Sequence, residues 1–334
     1  MNILLTSVGR RAYIVKYFKE ILKDCGKIHA GNSDDKTVAF HYADHHVITP
    51  LIYDEKYIPF LLEYCKNNSI DALISLFDID LYILAKNKEE FEKIGTKVVV
   101  SDPKFIEICN DKVKTYRFLE KHGFKTPKTY TDIEEVKREI HSGNLFYPLV
   151  VKPRFGCGSI AVSIAENESD LDYLYKKTTR EVERSYLKYE SANTTEKAVI
   201  QECISGQEYG ADIINDLHGN NRSIVVRKKI AMRSGETDIA TLVDNTVIKN
   251  ELKKLGELTR HIANLDCDIF LTDNKPYILE MNARFGGGYP FSHMGGCNLP
   301  LAIVEWLKGN DVSDDVLNAE SGITGYKELY ITKE

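Results

Sequence analysis

What the chain lacks narrows its class before any motif is read. Its seven cysteines, Cys25, Cys65, Cys109, Cys157, Cys203, Cys267 and Cys297, are odd in number, widely scattered and without a C-x-x-C pair. A zinc ribbon, a dithiol redox centre and a disulfide framework are thereby excluded, and reduced thiols in a cytoplasm are expected. No apolar run approaches membrane-spanning length, and the apolar part of "MNILLTSVGRR" is too short for a signal peptide, so no membrane partner is expected. The net charge of -6 is spread over both signs, with no basic block or aromatic-basic interleaving, which argues against a nucleic-acid partner. The pattern G-x-x-x-x-G-K-[ST] is missing, which excludes a P-loop, and only Gly9 stands where a dinucleotide fingerprint needs three glycines. No Ser-His-Asp or Cys-His constellation is convincing either.

What is present is an alternation. "NILLTSVGRR" followed by "AYIVKYFKEIL" reads as strand, tight turn and amphipathic helix, and "KIHAGNSD", "HHVITP", "DALISLF" and "KVVVSD" recur as short strands between helical patterns. That texture predicts an α/β fold with a doubly wound parallel sheet over residues 1 to about 100. From Pro103 two short helices are expected, ending near Gly123, and residues 149 to 165 read as strand, glycine loop, strand. The stretch from Glu166 to Lys197 reads as a surface helix with a flexible "ESANTTEK" link. "NELKKLGELTRHIANL" reads as a helix before a final hairpin. At 334 residues the chain exceeds one ordinary core, and the expected domains are 1–102, 103–198 and 199–334.

The chemistry concentrates in "CDIFLTDNKPYILEMNARFGGGYP", Cys267 to Pro290. Alternation along a strand puts Tyr277, Leu279 and Met281 on one face and Ile278, Glu280, Asn282 and Arg284 on the other. A hairpin symmetric about Asn274 sets Asp268 opposite Glu280, and like charges so placed repel unless something positive lies between them. A divalent cation held by Asp268, Glu280 and the Asn282 amide oxygen would remove the conflict, since Mg2+ takes hard oxygen ligands. A hairpin with a solvated second face fits the same letters. In "KPRFGCGS", Lys152, Gly156, Gly158 and Ser159 suit a phosphate, although an ordinary hairpin with a surface lysine also fits. In "QECISGQEYG" extended backbone can meet a purine edge and Glu208 a ribose, while Glu202 and Glu208 alone also fit solvated glutamates. Arg10 or Arg11 at the first helix start could face an anionic substrate, or mark a plain turn.

The order of these parts resembles the ATP-grasp superfamily, especially its carbamoyl-phosphate-synthase-like and carboxylate-amine ligase branches, and the likeness runs over the whole chain. It implies an N-terminal pre-ATP-grasp sheet followed by a two-part α+β ATP-grasp fold. It implies ATP with Mg2+ or Mn2+ as cofactors: Lys112 and Lys152 on the phosphates with the loop of Gly156, Gly158 and Ser159, Gln201, Glu202 and Ile204 at adenine, and Glu208 at ribose. Asp268, Glu280 and Asn282 would hold the metal, with Lys152 and Arg284 as catalytic groups. Arg10, Arg233, Glu236, Gly287 and His293 fall on the substrate side. The reaction implied is attack of a carboxylate on the γ-phosphate, giving an acylphosphate that an amine displaces. The partners are thus a small-molecule carboxylate and amine, with a homodimer as the admissible assembly. The chain lacks the duplicated halves and glutaminase partner of a true carbamoyl phosphate synthase. A phosphotransferase on the same fold and a nucleotide-binding module without turnover are the competing readings.

Overall fold

The computed structural model describes residues 1–156 and 161–333; Gly158 and Ser159 of the expected phosphate loop lie outside them. Strands β1 (Asn2–Thr6), β2 (Lys27–Asn32), β3 (His45–Ile48), β4 (Ala72–Ser75) and β5 (Lys97–Val98) form a parallel sheet in the order β3-β2-β1-β4-β5. Helices α1 (Ala12–Leu22), α2 (Tyr57–Asn67), α3 (Asp78–Lys86) and α4 (Lys88–Lys93) connect them. The strand order reverses between β1 and β4, so the loops leaving those two strands open a crevice at the carboxyl end of the sheet.

Helices α5 (Pro103–Asn110), α6 (Lys112–Lys121), α7 (Ile133–His141), α8 (Glu168–Arg184) and α9 (Leu187–Glu190) accompany a small antiparallel sheet. Its strands β6 (Thr129–Tyr130), β7 (Leu149–Pro153), β8 (Ser163–Ala165) and β9 (Ala198–Glu202) run in the order β6-β9-β7-β8. Strands β10 (Gln207–Asn215), β11 (Asn221–Arg233), β12 (Glu236–Val243), β13 (Ala263–Thr272), β14 (Lys275–Asn282) and β15 (Thr324–Tyr326) build a six-stranded sheet, ordered β14-β13-β10-β11-β12-β15. Helices α10 (Thr246–Thr259) and α11 (Tyr289–Met294) pack against that sheet, and α12 (Leu299–Leu307) packs against α1. No helix among the described residues is long and apolar enough to cross a membrane.

The cores do not follow three independent units. The parallel sheet and the six-stranded sheet share two contiguous apolar clusters, one joining Leu4, Leu73 and Leu84 to Ile213, Ile269 and Ile278, the other joining Phe18 to Phe285, Tyr289 and Ile303. The small sheet buries its own cluster around Val136, Leu149, Val151, Leu171 and Ile200.

Two sequence expectations need correction. Helix α10 stops at Thr259 because Arg260 takes a left-handed φ of 46°, and Ala263 to Leu265, expected as helix, already belong to β13. The "ESANTTEK" stretch is tied down: Lys197 Nζ donates to the Ser191 and Thr194 carbonyls, and Arg154 reaches Thr194 and Glu196.

Candidate active site

The β13–β14 hairpin forms the wall of the site. Asp273 and Asn274 have φ of 49° and 58°, the two-residue geometry whose twist matches that of flanking strands. Thr272 pairs with Lys275 and Ile269 with Ile278; Leu279 is then inserted, after which Asp268 pairs with Glu280, Cys267 with Met281 and Asp266 with Asn282. The expected opposition of Asp268 and Glu280 is therefore present, but strict alternation is not. The bulge turns Ile278 and Met281 into the core and sets Leu279 beside Glu280 on the acidic side. The chain supplies a positive charge to one of the two carboxylates only: Lys229 Nζ donates to Asp268 Oδ1 at 2.6 Å and to Glu208 Oε1 at 2.7 Å. Half-buried Glu280 forms no hydrogen bond or ion pair among the described residues, and the Asn282 side chain forms none either.

Asp268 and Glu280 border two cavities at once. The smaller, of about 330 Å³, lies between the small and six-stranded sheets. Its lining brings together Lys112, Lys152, Gly156, Gln201, Glu202, Ile204 and Glu208, with Val150, Ile164, Phe270 and Leu279 supplying flat apolar surfaces on both sides. Asp111 assembles its basic end. It caps α6 through the Val113 N–H and takes a two-point contact from Arg154, at 2.9 and 2.8 Å, which brings Lys112 over the end of β7. Lys112 Nζ then donates to the Gly156 carbonyl at 2.6 Å. Gly156 has a φ of 88°, and a Cβ there would collide with Leu187, so the loop needs glycine at this point. Lys152 is buried and forms no ion pair among the described residues; burial, reinforced by Lys112, pushes its pKa down to about 8. Gln201 donates to Thr129 Oγ1 and Glu202 accepts from the Lys128 N–H, so both side chains are spent on the frame.

The larger cavity, of about 480 Å³, lies at the strand-order reversal of the parallel sheet. Ser7 to Arg11 after β1 and Leu76 and Phe77 after β4 face Arg227, Lys229, Asp266, Asn282 and Arg284. Asp80 shapes the first loop, accepting from Thr6, Ser7, Ser75 and Tyr57 at 2.5, 3.1, 2.8 and 2.8 Å. Below the cavity floor runs a buried ion network. Arg227 donates to Asp212 at 2.5 Å and to Asp266 at 2.6 Å, and Arg284 joins Asp266 at 3.1 Å to Asp78 at 2.9 Å. Burial would raise the Asp266 carboxyl, but Arg227, Arg284 and Lys229 hold it below the usual carboxylate range. The glycines after Arg284 follow from this network: a Cβ at Gly286 would collide with the Asp266 carboxylate, and one at Gly288 with the Arg227 guanidinium.

Comparison with known proteins agrees with this architecture. Residues 109–288, more than half of the chain, match the family model of the ATP-grasp domain. The chain belongs to the ATP-grasp family. Residues 3–99 match the model of the PylC-like N-terminal domain. A carbamoyl phosphate synthase large chain from Pyrococcus furiosus is 25% identical over 223 residues, which is 63% of this chain and 20% of that protein. The ATP-grasp chain thus spans about a fifth of that relative's length. Among solved structures, biotin carboxylase from Campylobacter jejuni superposes with a TM-score of 0.73 at 17% identity, over 95% of this chain and 73% of the other. N5-carboxyaminoimidazole synthetase from Staphylococcus aureus, solved with ADP, gives 0.71 at 16% identity, over 93% and 78%.

Within this ATP-grasp fold, Arg10, Glu236, Gly287 and Arg284 line the larger cavity together, whereas Arg233 and His293 line neither. Arg233 turns outward to Asp238 and the Lys327 carbonyl. His293 stacks on Tyr17, ring centroids 3.7 Å apart, and burial lowers its pKa. Arg11, the alternative to Arg10 for facing an anion, also lines the larger cavity and donates to the Leu76 and Phe285 carbonyls. The sequence reading missed Arg227, Lys229, Asp212, Asp266 and Asp78. One signal was available for two of them: Arg227 and Lys229 stand two apart in "VVRKKIAMR" and so share a strand face.

Proposed function

We propose that this ATP-grasp chain is an ADP-forming ligase that joins a carboxylate to an amine through an acylphosphate. One observation carries the reading: Asp268 and Glu280 are a common wall between a cavity holding the two lysines and a cavity lined by Arg10 and Arg284. A nucleotide in the first would present its terminal phosphate to a carboxylate in the second across that wall. Lys112 and Lys152 supply positive charge to the phosphates, the apolar surfaces near Ile204 and Phe270 take the base, and Arg284 faces the transferring group.

The residues fit a magnesium ion. No group of three or more His, Cys, Asp or Glu side chains that could hold a metal occurs among the described residues. Two carboxylates and one amide oxygen, with Glu280 and Asn282 otherwise unengaged, suit a cation whose remaining ligands are water and substrate phosphates. When bound, Mg2+ offsets phosphate charge; Asp268, Glu280 and Asn282 would hold it. The reading further treats residues 1–102, 103–198 and 199–334 as pre-ATP-grasp, small and large parts.

The test follows an atom. A carboxylate oxygen that attacks the γ-phosphate becomes the bridging atom and leaves with phosphate when the amine adds. An 18O-labelled carboxylate substrate, found by screening ADP release over carboxylates and amines, should yield singly labelled phosphate in step with the amide. Unlabelled phosphate beside stoichiometric amide overturns the acylphosphate route, and a stable phosphorylated product without amide identifies a phosphotransferase.

A further inference from the structure

One ammonium of the chain is in direct contact with a carboxylate assigned to the metal. Lys229 lies on β11, where the Gln207 side chain donates to its backbone carbonyl. Gly210, which has no side chain, is the β10 residue opposite Asp268, and the lysine reaches past β10 to donate to Asp268 Oδ1 at 2.6 Å. Its second acceptor is Glu208 Oε1 at 2.7 Å, on β10 itself. The lysine side chain is 5% exposed, whereas Glu208 and Asp268 stay open at 31% and 33%. Glu208 borders the smaller cavity, Lys229 the larger and Asp268 both. Other cations of the linings are placed differently. Lys152 acts on Asp268 and Glu280 across space without an ion pair among the described residues, and Arg227 and Arg284 are paired with Asp212, Asp266 and Asp78.

A divalent cation thus meets a carboxylate whose charge is already matched at hydrogen-bond distance. To bind, it must overcome repulsion by the ammonium and weaken the Lys229–Asp268 pair, with two carboxylates and one amide oxygen as its protein ligands. Nucleotide phosphates change that balance, because they add oxygen ligands and negative charge. Glu208 stands outside the three metal ligands, so it leaves the ammonium a partner that the metal does not contest. We propose that Lys229 is a built-in counter-cation that makes metal uptake conditional on nucleotide, keeping Asp268, Glu280 and Asn282 from taking a divalent cation until phosphates are present. The proposal rests on the metal assignment made with the ligase reading.

The test is Mn2+ binding to the full-length protein, with free Mn2+ counted by electron paramagnetic resonance in the absence and presence of ADP. Without ADP, Lys229→Met should bind Mn2+ roughly 10- to 100-fold more tightly than the unaltered protein, the range for one charge-assisted contact. Lys229→Arg, which keeps the charge, should bind as the unaltered protein does. Adding Asp268→Asn to the methionine variant should erase the gain. By linkage, the factor by which ADP tightens Mn2+ binding should shrink in Lys229→Met by as much as the nucleotide-free affinity rises. Should the methionine variant fail to fold, Lys229→Gln carries the same expectation. A merely structural lysine predicts metal binding unchanged or weakened, and that result overturns the proposal. So does a gain shared by the arginine variant or kept in the Asp268→Asn background. The expected gain, without labelled phosphate from any carboxylate and amine mixture, would leave the proposal standing and remove the ligase reading. Labelled phosphate in step with amide, without the gain, would do the opposite.

Discussion

On the two sides of Asp268 and Glu280 the chain uses basic side chains in opposite ways. In the smaller cavity Lys112 is held by a carbonyl and Lys152 has no ion pair among the described residues. In the floor of the larger one every guanidinium and ammonium of the network is matched to carboxylates: Arg227 to two, Arg284 to two, Lys229 to two. A buried charge without a counter-charge costs the folded state, and a buried matched pair is costly only when broken. The difference separates groups that await a ligand from groups that hold the frame, and variants of each kind should move stability in opposite directions.

The largest effect is expected in the frame. Arg227→Met leaves Asp212 and Asp266 buried without their main counter-charge and should cost about 3–5 kcal/mol in urea unfolding of the ligand-free protein. A loss below about 1 kcal/mol, the worth of an exposed pair, would show that Arg227 does not hold the buried charges of the six-stranded sheet together. Lys152→Met should act in the other direction. A pKa lowered from 10.5 to about 8 means that at pH 7 the folded state carries a charge it disfavours. Below about pH 8 both folded and unfolded chains are protonated and the cost is fully present. It fades as the folded lysine loses its proton first, and it is gone above about 10.5. The methionine variant should therefore be more stable by roughly 3 kcal/mol at pH 7, with the gain vanishing toward pH 10.5, while ATP binding is lost. In the unaltered protein ATP affinity should fall as pH rises through about 8, and a flat profile would show that Lys152 does not meet phosphate.

That contrast also explains what could be read in the letters alone. The pre-ATP-grasp sheet was legible because its strands and helices alternate locally, and the Asp268–Glu280 pair because a hairpin is a short-range object. Even there the agreement came from two departures that compensated, a turn centred half a residue away from Asn274 and a bulge at Leu279. The frame was not legible, because its bonds join residues far apart: Arg227 and Asp266 are 39 positions apart, Arg284 and Asp78 206. Asp266 was also hidden by a helix expected to run past the left-handed Arg260. Arg233 and His293 line neither cavity for the converse reason: proximity in sequence to the site says nothing of which way a side chain turns.

Glu280→Gln sharpens the comparison at the wall itself. Because Glu280 has no ion pair among the described residues, its replacement should leave unfolding unchanged within about 0.5 kcal/mol. The same change should slow phosphate release by about 100-fold or more, the usual cost of one group acting on transition-state charge. It should also raise the Mg2+ concentration needed for half-maximal rate. Full activity at low Mg2+ would remove Glu280 from the metal set.

The smallest effect concerns the piece that touches both cavities. Helix α9 follows Tyr186, which lines the larger cavity, and begins with Leu187, which lines the smaller and packs on Gly156. Its far end meets the parallel-sheet region through Tyr53, whose hydroxyl donates to Glu190 at 2.8 Å and whose ring stacks on Tyr189 with centroids 4.4 Å apart. Since the small sheet has a core of its own, this contact belongs to neither core and its loss should not unfold either part. Tyr53→Phe keeps the stacking and deletes one hydrogen bond to a carboxylate, worth about 1 kcal/mol at a partly exposed position. If α9 is held over the cavities by that bond, the KM for ATP should rise about fivefold with kcat and urea midpoint unchanged, because 1 kcal/mol is a factor of about five in an equilibrium. Tyr53→Ala, which also removes the ring, should raise KM further in the same direction. A fall in urea midpoint with an unchanged KM would mean that Tyr53 and Glu190 belong to the frame, and that the division between ligand-facing and frame groups ends at the cavity rims.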